Sequence, residues 1–172
     1  MRKVSILFLI GLFLNGCVGI NENGLSLRIP AASVIANITN QFPVSKSTSY
    51  GDVKISNPNL LFNESDAVSL GSELAFDNPL LSKLSAKLNV SGNVVYDQAK
   101  KSFFIQNAIV DSLEFNKNSL LSSFSGISSS ALKPIIQNLI SQIPIYTLDD
   151  PKYRYIKNAT VNNGNIDLTF GL

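Results

Sequence analysis

Two runs of strict alternation, placed back to back, dictate most of what this chain can fold into. Leu84, Ala86, Leu88, Val90, Val94 and Tyr96 share one parity from about Lys83 to Tyr96. Phe103, Ile105, Ile109, Leu113 and Phe115 alternate over a similar length, with Asp97 to Lys100 as the turn between the runs. A period of two puts each apolar set on one face of a strand. Each run is roughly a dozen residues, against a usual ~5–6, and at ~3.3 Å per residue would extend ~40 Å. Gly92, inside the first run, marks a bulge or bend. Long bent strands favour a curled sheet over a compact sandwich.

The flanking segments complete the pattern. Ala31, Val34, Ile35, Ile38 and Phe42 recur at three- and four-residue steps after Pro30 and before Pro43, which predicts an amphipathic helix. Val53 and Ile55 alternate before Asn57-Pro58-Asn59, a turn or edge irregularity. Val68, Leu70, Leu74 and Phe76 form another strand, closed by Asp77-Asn78-Pro79. Leu132, Ile136, Leu139 and Ile143 stripe a second helix from about Ser130, with Pro134 tolerable only near its start and Pro144 ending it. Around Asn162-Asn163-Gly164-Asn165, Tyr155 to Val161 and Ile166, Leu168 and Phe170 predict a final hairpin. Strands joined by short turns pair antiparallel, and two apolar helices need a sheet face to bury. The expected class is α+β, with residues 25–172 as one domain.

The N-terminus reads as an address. Arg2 and Lys3 precede an apolar run from Val4 to Leu14, too short for the ~20 residues of a spanning helix. It closes on Leu14-Asn15-Gly16-Cys17, which resembles a bacterial lipobox. Cys17 is the only cysteine, so no internal disulfide competes for its thiol. Residues 1–16 are then a signal peptide, and Cys17 is the lipid attachment point. Residues 17–24 are the acylated start and a short polar tether at Asn21 to Gly24. Two or more acyl chains anchor stably, at ~0.8 kcal/mol per buried methylene. Val18, rather than an aspartate, follows the cysteine, which by resemblance to the Gram-negative sorting pattern implies the periplasmic face of the outer membrane.

Composition excludes several chemistries. Loss of residues 1–16 removes two basic residues and no acidic one, leaving twelve of each. A neutral chain has no electrostatic footprint for nucleic acid. Histidine is absent, which removes the usual triad base and, with Cys17 acylated, both common soft metal ligands. No Gly-rich phosphate loop or Gly-x-Ser-x-Gly elbow occurs. Glu64 with Asp66, and Asp149 with Asp150, are acidic pairs without a spacing that chemistry demands. The reading is a non-enzyme with no cofactor and no metal.

The lipobox, the helix ending at Phe42-Pro43-Val44, the long strands, the helix with Pro134 and Pro144 and the terminal hairpin together resemble the YceB-like bacterial lipoproteins over about Leu25 to Leu172. That family resembles the tubular lipid-binding (TULIP) superfamily. The resemblance implies a highly curved antiparallel sheet wrapped around a long helix, with a second helix near the C-terminal hairpin. It supplies no catalytic residues.

Two functions follow as expectations. In the first, a lipid or other hydrophobic ligand occupies an apolar groove between helix and sheet, lined by Ile35, Ile38, Phe42, Leu132, Ile136, Leu139 and Ile143. The plainer reading of these seven is core packing. In the second, the core is closed and an envelope protein docks outside, on Leu60, Leu61 and Phe62 or on Tyr146, Tyr153 and Tyr155. The anchor reading carries its own test. Cys17→Ser should leave an unprocessed or soluble protein, and finding that variant still acylated in the membrane fraction would refute the assignment.

Overall fold

The computed structural model describes residues 18–21, 24–49, 51–63, 66–78, 82–116 and 125–171. Strands β3 (Val44–Thr48), β4 (Gly51–Phe62), β5 (Ala67–Asn78), β6 (Ser82–Asp97), β7 (Ser102–Phe115) and β8 (Pro144–Thr147) form one six-stranded sheet in chain order, antiparallel throughout. It is strongly curled, a half-barrel. Val68, Leu70, Leu74 and Phe76 on β5 face the concave side with Leu84, Ala86, Leu88 and Val90 on β6, all buried. The convex side is polar and cross-linked by side chains. Asn89 donates to Ser112 at 2.9 Å, Ser91 to Asp111 at 2.9 Å and Asn57 to Glu73 at 2.8 Å. An antiparallel sheet with one wet face requires this division.

The curl has a local cause. The β4–β5 ladder slips between Ser56 and Asn59, where Asn57 takes a positive φ of 53°. The Asn57-Pro58-Asn59 irregularity therefore lies inside one continuous strand. The β6–β7 ladder slips twice, after Asn89 and around Gly92, and Asn107 opposite has a φ of 52°. Each slip inserts an unpaired residue, which bends the strand and increases its twist.

A second sheet was not anticipated. Strands β1 (Val18–Asn21), β2 (Gly24–Ile29), β9 (Ile156–Asn162) and β10 (Asn165–Phe170) pair in the order β1-β2-β10-β9. The terminal hairpin thus joins the N-terminal segment, with Leu168 opposite Leu27 and Ile166 opposite Ile29. The segment expected as a tether is largely strand, since Val18 to Asn21 ladder with Leu27 to Gly24. The tight turn is as expected, with positive φ at Asn163 and Gly164. A Cβ at Gly164 would run into the Phe62 ring and Ala31, so only glycine fits there.

Helix α1 (Ala31–Gln41) is capped by Pro30 and ends at Phe42. It packs on β8 and β4 and touches β10, and so bridges the two sheets. The Ala31 N–H donates to Asn165 Oδ1 at 3.2 Å, which satisfies one free donor of its first turn. Helix α2 (Ser125–Ser141) packs on β7. It begins well before Pro134, contrary to the expected start near Ser130. Pro134 sits on the exposed face, away from the buried stripe. Helices and both sheets share one apolar core.

Gly92 offers a direct test. An added Cβ would lie 2.6 Å from Ile105 Cγ2 and 2.7 Å from the Gln106 carbonyl oxygen. Gly92→Val should destabilise the domain by about 1–3 kcal/mol through overpacking, read as a lowered urea midpoint at unchanged m-value.

Candidate functional site

None of the seven residues expected to line a groove borders either cleft described below. Ile38, Leu132, Ile136, Leu139 and Ile143 are all buried in the shared core, with Ile136 fully inaccessible. Phe42 is half-buried against that core, and Ile35 points outward at 38% exposure. Side chains buried in this way pack against one another as in other protein interiors, which is the plainer reading of the stripe. A charge at Ile136 would therefore test folding rather than capture. Cys17 and Glu64 lie outside the described residues.

The space lies instead between the two sheets. A cleft of about 490 Å³ opens where β6 and β7 face β9. Val94, Tyr96 and Phe103 form its floor, and Ile156, Ala159 and Val161 its far wall. Val94 and Phe103 are core residues, so the floor is the edge of the core itself. Asp66, Gln98, Lys157, Asn158 and Thr160 bring polar groups to the rim.

Strand lengths create this opening. β5 begins at Ala67, opposite Asn93, and the Val94 N–H donates to the Asp66 carbonyl at 2.9 Å. Val95 to Asp97 run on beyond that point with β7 alone as their partner. β9 is the edge strand of the four-stranded sheet and pairs only with β10. Two strand edges thus border one cleft, with six consecutive β9 residues along its side. Such edges carry backbone donors and acceptors that can pair with a ligand or another strand.

Tyr96 is the one cleft group with a shifted acidity. Burial raises its hydroxyl above the ordinary phenol range, and the neighbouring Asp97 carboxylate adds to the effect. The ring lies 4.9 Å from that of Phe103, tilted by 38°. At neutral pH the hydroxyl is protonated and can donate a hydrogen bond.

The other candidates are scattered. Leu60 is buried, Phe62 half-buried and Leu61 exposed on the convex face. Tyr146 pairs in β8, Tyr153 stacks on Phe170 at 6.5 Å, and Tyr155 is 67% exposed. Asp66 reaches the cleft and accepts from Asn93 at 3.3 Å, whereas Asp149 and Asp150 lie on an exposed turn. A second, smaller cleft of about 320 Å³ runs along β3, β4 and β5, from Ser45–Ser47 across Asp52–Lys54 to Ala75–Asp77. Among the described residues no three or more acidic or cysteine side chains converge as a metal site. Nor does any described helix have the length and apolarity to cross a membrane.

The inter-sheet cleft was not legible in the sequence. Its walls come from residues some sixty positions apart, and only their parity, which marks core as readily as site, was visible. A family model described as a protein of unknown function (DUF1439) matches residues 33–166. That span holds α1 from its third residue, the whole six-stranded sheet, α2 and β9. No curated protein matches the chain.

The raised Tyr96 acidity gives a pH dependence of known sign. A phenol whose folded value exceeds its unfolded value contributes stability fully below about pH 10. That contribution is lost as pH rises through the folded value. Thermal stability should fall on the alkaline side of pH 10, and Tyr96→Phe should flatten that fall. An identical alkaline slope in both proteins would contradict the assignment.

Proposed function

We propose that this chain, which belongs to the DUF1439 family, is an envelope lipoprotein that holds a hydrophobic ligand in the cleft between its two sheets. The anchor is an acylated Cys17, and the compartment is the periplasmic face of the outer membrane. The ligand class is a lipid or a lipid-like amphiphile. The resemblance to YceB-like lipoproteins, and through them to the TULIP superfamily, agrees with a curled antiparallel sheet carrying two helices.

One observation carries the reading. The cleft has a floor continuous with the apolar core and a rim of polar side chains. Its volume of about 490 Å³ falls within the range of small-molecule sites. An acyl chain would gain roughly 25 cal/mol for each Å² of apolar surface it covers, and that surface is on the half-buried Val95, Tyr96, Ile156, Ala159 and Val161, since Val94 and Phe103 are already buried. A headgroup at the rim would meet Lys157, Gln98 and the Tyr96 hydroxyl. The mechanism is passive: binding and release follow burial of apolar surface, with no bond made or broken.

The strand edges favour a second reading, in which an envelope protein adds an extended segment along β9. Edge pairing of this kind draws affinity from main-chain hydrogen bonds. Lys157 on that strand is the type of residue that protects an edge from unwanted pairing. The two readings predict different adducts at one place.

Native mass spectrometry of residues 18–172, exported behind a cleavable signal peptide and purified from the periplasm without detergent, tests the first reading. A reproducible added mass, identified after extraction as phospholipid or fatty acid, is expected. Val95→Asp or Ala159→Asp, both at half-buried cleft positions, should remove it while leaving the fold intact. A clean mass that stays clean after incubation with phospholipid would overturn lipid binding. A photoreactive residue at Thr160 that crosslinks a protein would then establish strand addition.

A further inference from the structure

The two ends of the inter-sheet cleft differ in charge. Among the described residues that line it, Asp66 and Lys157 alone are charged. Asp66 stands beside Val94, whose N–H its carbonyl accepts. From there β6 runs on to Asp97 and then Gln98, about 13 Å further at strand rise. Gly164, in the turn after β9, lies against the Phe62 ring, and Phe62 ladders with Val68, two residues from Asp66. The Val161 end of β9 is therefore the Asp66 end of the cleft. Lys157 is four residues back along β9, away from Asp66 as Gln98 is.

The two charges also differ in what they already hold. The Asp66 carboxylate accepts from Asn93 at 3.3 Å. Lys157 is exposed and has no hydrogen-bonding or ionic partner among the described residues. The strand is irregular at that lysine. Asn158 pairs with Thr169 and Ile156 with Phe170, so Lys157 is the extra residue of a bulge. Bulges re-aim a side chain out of the regular alternation, and here the re-aimed residue is a lysine on the cleft wall.

Volume limits the apolar part of an occupant. A methylene and a water molecule in the liquid each take up ~30 Å³. A cleft of about 490 Å³ thus holds roughly sixteen methylenes, which is one acyl chain of ordinary length. A phospholipid brings two.

We infer that the ligand is an amphiphile that places a single acyl chain in the cleft and an anionic headgroup, carboxylate or phosphate, at Lys157. The inference rests on the reading of the cleft as a lipid site and names the class of lipid. The chain points toward Val161 and covers the half-buried side chains between the sheets. The headgroup accepts from Lys157 Nζ and from the Gln98 amide. The reverse orientation would set one anion against another at Asp66. A phospholipid lends one chain to the cleft and gains no burial from its second.

The chain from Val18 onward holds every described element and is the protein to test. Dodecanoate, dodecanol and dodecyltrimethylammonium share one alkyl chain and differ in charge. Calorimetry at neutral pH should find dodecanoate binding one to one, about fivefold tighter than dodecanol, with dodecyltrimethylammonium the weakest. Lys157→Gln should remove the difference between dodecanoate and dodecanol and leave dodecanol binding unchanged, a pattern that a general loss of structure would not give. The second probe is a set of phosphatidylethanolamine vesicles with equal small amounts of phosphatidylglycerol and lysophosphatidylglycerol. Native mass spectrometry of the recovered protein should show the lyso form in about tenfold or greater excess, because the second chain is not reburied. Equal loading of the two lipids would overturn the single-chain inference and leave lipid binding standing. Dodecyltrimethylammonium bound as tightly as dodecanoate, or a Lys157→Gln protein that still prefers dodecanoate, would overturn the anionic headgroup. No adduct with any of these probes would remove the lipid site and the inference together.

Discussion

The pairing of β6 with β5 on one side and β7 on the other is the constraint on which the rest depends. Twelve positions of β5 meet β6 in unbroken register from Ala67–Asn93 to Asn78–Ser82. A slip of one residue would turn Leu84, Ala86, Leu88 and Val90 into solvent and bring Lys87 and Asn89 into the core. The register is therefore held by burial along its whole length. Once it is fixed, a single apolar surface exists that is too large for either helix alone. α2 covers the β7 side, α1 closes the β4 and β8 sides, and the small sheet seals the remainder through Ile29, Ile166 and Leu168.

The cleft is a by-product of unequal lengths within that pairing. β6 outruns β5 by four residues at the Asp97 end, while β7 follows it to Ser102. Had β5 begun four residues earlier, it would have filled the space that Val94 to Asp97 now share with β9. Asp66, just before β5, is instead in a turn, and its carbonyl accepts the Val94 N–H where the ladder ends. The four-stranded sheet cannot close the gap, because β9 is already committed to β10 on its inner side. A bridging helix that joins the sheets from the far side, through Ala31 and Asn165, leaves this side open.

This division explains which parts of the fold could be read in the sequence. Alternation over a dozen residues is a local signal carried by β5, β6 and β7, while α1 carries a stripe at three- and four-residue steps and the last hairpin its Asn163-Gly164 turn. The pairing of the terminal hairpin with β2, which makes the second sheet, has no local signal. Arg28 and Asp167, which pair across it, are 139 positions apart, and Leu25-Ser26-Leu27-Arg28 is too short to announce a partner. Helical stripes gave the right positions for Leu132, Ile136 and Leu139 but not their role, since a core stripe and a ligand stripe have the same period. The start of α2 is not where Pro134 suggests, because the lost hydrogen bond and the clash with the preceding turn that a helix proline brings are offset by the burial of Leu132, Ile136, Leu139 and Ile140 on the other face. The cleft depended on where strands stop, and strand ends are set by turns and partners more than by periodicity.

The same strand ends decide what the cleft offers an occupant. β9 pairs with β10 on one side and borders the cleft on the other, so anything that enters meets backbone donors and acceptors together with the half-buried side chains of Val95, Tyr96, Ile156 and Ala159. A lipid, on the reading proposed above, would cover those side chains and leave the strand edge to water. An extended protein segment would pair with the edge and draw its affinity from main-chain hydrogen bonds. The two occupants would therefore compete for one strand, and the open edge of β9 is what makes them alternatives.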